Sequence, residues 1–183
     1  MHKVAVIVGS IRKDSINKKL AKALEKLAEG KLDFAYSRID DLPLLNQDDV
    51  DNPAAEVWRF KREIEAADAV LFVTPEHNRS IPAAMKNAFD WGSRPWGKNS
   101  WRGKTAAIIG ASAGNISTAL AQAHLRTIIA GHVSAILGNP EAYVQMKDGL
   151  IDADGTVTDE TTRKFLQTFI DNFARLVAAM AKT

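Results

Sequence analysis

The chain has 183 residues, 46% hydrophobic and 25% charged, the balance of an ordinary globular protein and a length that fits one domain. Its 24 Lys and Arg against 22 Asp and Glu leave a net charge of +2. The basic residues scatter in pairs such as Arg12-Lys13 and Lys18-Lys19, not in the stripe or tail that marks a nucleic-acid binder, and none is expected as a partner. With no cysteine, the chain has no disulfides, thiolate metal sites, cysteinyl iron–sulfur clusters or thiol nucleophile.

In chain order, residues 4–8 form a nearly continuous apolar run, as in a strand covered on both faces. The run is too short for a signal-peptide core, and no stretch approaches a membrane span, so a cytoplasmic protein without membrane contact is expected. Residues 16–28 place Leu20, Ala23, Leu24 and Leu27 on one helical face. Residues 32–39 alternate as a weaker strand, and 54–66 carry Val57, Trp58 and Ile64 as a second helix. A strand follows at 69–73. A helix at 82–91 opens on Pro82, where the missing N–H costs nothing. A strand at 106–109, a helix at 117–130 and a strand at 133–137 come next. Residues 140–158 read as an irregular connection to a final helix at 159–182, which has Phe165, Phe169, Phe173 and Leu176 at helical spacing.

Alternating strands and helices predict an α/β fold: a three-layer, doubly wound, five-stranded parallel sheet in a single domain over 1–183. Right-handed crossovers favour the flavodoxin-like strand order 2-1-3-4-5. Ligands of such sheets bind beyond the carboxyl ends of the strands at the switch point, here the segments after strands 1, 3 and 4.

After strand 1, Gly9-Ser10-Ile11-Arg12-Lys13-Asp14-Ser15-Ile16-Asn17 runs into a helix. Free backbone N–H groups at a helix start favour an anion, and Ser10, Arg12, Ser15 and Asn17 add donors suited to phosphate. The plainer reading is an N-cap at Asp14 or Ser15 with a solvated Arg12; the position of the loop favours the anion. One glycine is too few for close approach to a dinucleotide pyrophosphate, so a terminal monophosphate is the better fit. After strand 3, Pro75 and Pro82 stiffen a loop through Glu76, His77 and Asn78. It suits the imide edge of a planar heterocycle, or serves as an ordinary connection.

Gly110-Ala111-Ser112-Ala113-Gly114 matches the hydrolase pattern G-x-S-x-G, which requires an acid and then a histidine downstream. No Asp or Glu lies between Ser112 and His132, so the hydrolase reading fails, and Ser112 is expected to offer a hydrogen bond to a bound ring. The four histidines lack metal-ligand spacing, and no metal is expected. Trp91, Trp96 and Trp101 are read as core and subunit contact, with a wall beside the ligand as the alternative.

These residues together resemble the NAD(P)H-dependent FMN reductase family, in particular its chromate/quinone reductase branch. The resemblance rests on Gly9-Ser10-Ile11-Arg12 with Ser15 and Asn17, Asp41-Leu42-Pro43-Leu44, Pro75-Glu76-His77-Asn78 with Ser80-Ile81-Pro82, Lys86-Asn87-Ala88-Phe89-Asp90-Trp91 and Gly103-Lys104. It implies tightly but non-covalently bound FMN, with phosphate contacts at Ser10, Arg12, Ser15 and Asn17. Ring contacts fall at Pro75, Glu76, His77 and Asn78, largely through backbone, and at Ser112. The family commonly has tyrosine at the position of His77. NADPH or NADH is the implied donor, quinones the implied acceptors with chromate, azo compounds and free flavin beside them, and a homodimer or homotetramer the implied assembly. No catalytic acid, base or nucleophile is required, because the cofactor carries the chemistry. A flavodoxin-type electron carrier and a non-catalytic FMN-binding protein are the alternatives. Arg12 in the loop and the net charge of +2 argue against the carrier.

Overall fold

The computed structural model describes residues 1–181; Lys182, expected to end the last helix, lies outside them. The elements in order are β1 (His2–Val8), α1 (Ile16–Leu27), β2 (Leu32–Tyr36), α2 (Ala55–Glu65), β3 (Ala69–Val73), α3 (Ala83–Gly92), β4 (Thr105–Ser112), α4 (Ala119–Ile129), β5 (Ala135–Ile136), β6 (Ala142–Gln145) and α5 (Glu160–Met180). All pairings in the sheet are parallel, in the order β2-β1-β3-β4-β5, with β6 also on β4. This is the flavodoxin-like arrangement.

The strands read as unbroken apolar runs because each face meets a helical layer. Val4 and Val6 of β1, Leu71 and Val73 of β3, and Ile109 and Ala111 of β4 join the core beneath α1 and α5. Ala5, Ile7, Val70, Phe72 and Ile108 point the other way, into the core beneath α2, α3 and α4. Burying a side chain such as Phe72 is worth roughly 1.5–3 kcal/mol, and its layer adds an aromatic group. Phe89 and Trp101 stack there at 4.9 Å between centroids. Trp91 and Trp101 are core residues, whereas Trp96 is 92% exposed. The Lys61 amine is buried in the same layer, donating to Gly92 O, Lys98 O and Ser100 Oγ, which pins the segment from 92 to 100. Burial pushes its pKa below the ordinary lysine value.

The fifth strand position departs from expectation. Of residues 133–137, only Ala135–Ile136 form a strand, against Thr105 and Ala106 at the start of β4. Gly138-Asn139-Pro140 interrupts the ladder, and proline has no N–H to give it. The chain rejoins as β6, which pairs with Ile109 to Ser112 at the other end of β4. The segment 140–158 is therefore not an irregular connection: it holds β6 and a bridge between Ile151 and Val157. β2 ends at Tyr36, short of Ile39, although Ser37 N–H still donates to Val6 O at 3.0 Å. Among the described residues, no helix is long and apolar enough to cross a membrane.

Gly110 sits where β3, β4 and the start of α4 crowd together. A Cβ there would lie 2.0 Å from Thr74 O and 2.4 Å from Thr118 Oγ1. Gly110→Ala is expected to cost about 2–3 kcal/mol, as overpacking against backbone does. For a domain of this size that lowers the thermal midpoint by about 5–10 °C. A midpoint unchanged in a melting experiment would contradict this packing.

Candidate functional site

Three segments converge beyond the carboxyl ends of β1, β3 and β4. The first leaves the sheet at Gly9, whose N–H donates to Val73 O at 2.9 Å. Among the described residues, none of the backbone N–H groups from Ser10 to Asp14 donates to a protein acceptor. The Ser15 hydroxyl oxygen then caps α1, accepting from Asn17 N–H at 3.2 Å and Lys18 N–H at 3.4 Å, while its own O–H donates to no acceptor among the described residues. The first turn of α1 carries no acidic residue to neutralise the helix terminus. Arg12 is exposed and in no ion pair among the described residues. A run of unclaimed N–H groups, a hydroxyl and a guanidinium at a helix start form a cradle for a phosphate monoester, which fits the phosphate end of FMN.

Asn17 has a different place from the other three. Its amide nitrogen donates to Ala111 O and its oxygen accepts from Ala111 N–H, both at 2.9 Å, and the residue is 1% exposed. It is a clamp joining α1 to β4, not an open donor facing the cradle.

The second segment is held in an uncommon conformation. His77 and Ser80 exchange backbone hydrogen bonds at 2.9 Å, with Asn78 at φ 50° and Arg79 at φ 66° between them, a type I′ pattern. A left-handed arginine costs roughly 1–2 kcal/mol, so the turn needs outside support. Glu76 provides it: Oε2 accepts from both Leu120 N–H and Ala121 N–H at 3.0 Å, capping α4 from another loop where Thr118 makes no side-chain cap. Ser80 Oγ adds a 2.9 Å hydrogen bond to His124 Nδ1. His77 is exposed, and Pro75 lies against Gly9, where a Cβ would stand 3.2 Å from Pro75 Cδ.

The third segment follows β4. Ser112 Oγ accepts from Gly114 N–H at 3.2 Å, and Ser112 O accepts from Met146 N–H. No base lies within hydrogen-bonding reach of this hydroxyl among the described residues, which removes the structural support for a serine nucleophile. Gln145 of β6 donates to Ala113 O and Asn115 Oδ1, and buried Ser117 donates to Val144 O. Neither was picked out in the sequence, because β6 itself has too weak a pattern to announce itself.

Between the second and third segments lies an open cleft of about 680 Å³ lined by Glu76, Asn78, Arg79, Ser112 and Asn115. The structure thus brings Glu76, Asn78 and Ser112 together on one cleft. Ser10 and Ser15 border separate hollows on the two sides of α1. A flat heterocycle fits a cleft with a stiff turn on one wall and small residues on the other.

The chain matches the model of the NADPH-dependent FMN reductase family over residues 2–148. It is 50% identical over 176 residues to a 2-hydroxy-1,4-benzoquinone reductase of Burkholderia sp, covering 96% of each chain. It is 45% identical over 178 residues to a quinone reductase of Pseudomonas putida, covering 97% of this chain and 95% of the other. Among solved structures it is similar to FerB, a flavoenzyme NAD(P)H:(acceptor) oxidoreductase from Paracoccus denitrificans. The TM-score is 0.95 at 50% identity, over 98% of this chain and 99% of that one.

Glu76→Ala removes two charge-assisted bonds and is expected to destabilise the fold by about 1.5–3 kcal/mol; Glu76→Gln, which keeps an acceptor, recovers part of this. Urea unfolding of the two variants checks the cap. Equal stability of Glu76→Ala and the parent would contradict it.

Proposed function

The chain belongs to the NADPH-dependent FMN reductase family, and from that premise we propose that it passes two electrons from NADPH or NADH through non-covalently bound FMN to quinones. In balance, a donor NADPH and one solvent proton reduce a quinone to its hydroquinone and leave NADP⁺. The observation that carries the reading is the five-residue run of unclaimed N–H groups at the start of α1, facing the same end of the sheet as the cleft between the β3 and β4 loops.

The chemistry such a cofactor supplies when bound is reversible two-electron transfer. The chain's own residues bind and orient. In this reading Ser10, Arg12 and Ser15 hold the phosphate with the free N–H groups of the loop, while Asn17 fixes that loop against β4. Pro75, Glu76, His77 and Asn78 present backbone to the ring, and Glu76 keeps their loop rigid through α4. Ser112 offers its hydroxyl from the opposite wall. Arg79 stands 69% exposed at the cleft, 3.8 Å from Glu76 Oε1. No side chain is assigned as acid, base or nucleophile.

The same proposal takes residues 1–183 as one FMN-binding domain in the cytoplasm. Chromate, azo compounds and free flavin are further acceptors. A homodimer or homotetramer is supported by the family resemblance and by exposed Ile116, Leu120 and Trp96.

The test is anaerobic. Protein reconstituted with FMN is expected to bleach on addition of NADPH and to recover its flavin bands on addition of a quinone. Bound flavin that NADPH leaves coloured would point instead to an electron carrier or a non-catalytic FMN-binding protein.

A further inference from the structure

α1 leaves part of the sheet bare. It packs across β1, β3 and β4, while β2 forms the edge. The register pairs Val6 with Tyr36, so both point to the α1 face. Beside α1 on that face lies a hollow of about 400 Å³, within the range of small-molecule sites. Val8 and Ile11 provide its accessible apolar surface, and Tyr36 an aromatic one. Tyr36 Oη donates to Glu25 Oε2 at 2.9 Å, which fixes the ring. Burial first, and then Glu25, push the phenol far above its usual range, so it remains neutral.

The charges at the rim are not equivalent. Arg38 is occupied by Asp40, at 2.6 Å, with Asp41 at 3.8 Å. Lys18 and Lys22 form no ion pair among the described residues; Lys18 feels the field of Asp40. They are four apart on α1 and both border the hollow, as they also border the one on the other side of the helix. Ser10 and Ile11 line the hollow too, which makes it continuous with the phosphate loop.

We propose that this hollow is an adenylate subsite, the purine lying against Val8 beside Tyr36 and the phosphate meeting Lys18 and Lys22. An apolar slot with one fixed aromatic ring suits a heterocyclic base, and two unpaired ammonium groups one helical turn apart suit a phosphate. The single glycine of the adjacent loop keeps a pyrophosphate from approaching the backbone closely, so the contact is made at the surface by side chains. The inference rests on the flavin reading only in taking the neighbouring loop as a phosphate site. Two sources carry this chemistry: the adenylate half of the nicotinamide donor, and that of FAD bound in place of FMN.

The experiment is calorimetric titration of 5′-AMP into FMN-loaded protein, repeated with the double variant Lys18→Gln, Lys22→Gln. Both lysines are exposed, so the variant keeps its packing. Saturable one-to-one binding is expected, weakened about tenfold or more in the variant, the scale of a charge-assisted bond. FMN affinity, read by fluorescence quenching, should stay within about twofold, since the variant leaves Ser10, Arg12 and Ser15 intact. If the donor is the source, the variant raises the KM for NADPH at unchanged kcat. If FAD is the source, it weakens FAD binding to the apoprotein while leaving FMN binding alone. No AMP binding, or binding that survives the double variant, overturns the proposal. Failure of the apoprotein to take up FMN would instead count against the flavin reading, and the AMP titration is then run on the apoprotein, where the same dependence on Lys18 and Lys22 is expected.

Discussion

A buried carboxamide sets the geometry on which the site depends. Asn17 donates to the carbonyl and accepts from the N–H of one residue, Ala111, across 94 positions of sequence. Leaving either partner unsatisfied in this setting costs about 1–3 kcal/mol, so the pair holds the start of α1 at a fixed distance from the end of β4. Gly110, one residue earlier, lets Thr74 approach β4 without a side chain between them. The phosphate cradle, the β3 turn and the Ser112 segment are therefore rigidly related before any ligand arrives. Such preorganisation limits what binding must spend on ordering loops.

A second set of ties acts on the β3 turn. Its left-handed residues Asn78 and Arg79 are conformationally costly, and it is fastened to α4 twice, through Glu76 and through Ser80 with His124. The Glu76 carboxylate serves as the helix cap that Thr118 does not supply. A loop restrained at both ends can present its backbone to a ligand with little side-chain specificity. That explains how histidine can stand at 77, exposed, without disturbing the turn's hydrogen bonds, which are all main-chain at that residue.

The layers and strand order were legible because β1, β3 and β4 are buried on both faces, so Val4 to Val8 and Ala69 to Val73 advertise themselves as continuous apolar runs. The loops after them were legible as places, from the switch-point rule. The additional strand β6 was not, because it alternates buried Ala142 and Val144 with exposed Tyr143 and half-exposed Gln145, a pattern too short and too polar to stand out. Residue roles were harder still. Whether Asn17 faces a ligand or Ala111, and whether Glu76 faces a ring or α4, depends on contacts between residues 44 to 94 positions apart, which no local periodicity encodes. Ser117 and Gln145, which brace the β4 loop against β6, were hidden for the same reason.

The central claim is that the phosphate of FMN lies on the free N–H groups between β1 and α1. It is tested most directly by following backbone amide resonances as apoprotein is titrated with FMN and, separately, with riboflavin, which lacks the phosphate. The amides of Ser10 to Asp14 should shift with FMN and stay in place with riboflavin, while those around Glu76 to Asn78 and Ser112 to Gly114 respond to both. FMN binding that leaves the Ser10 to Asp14 amides unmoved would contradict the assignment.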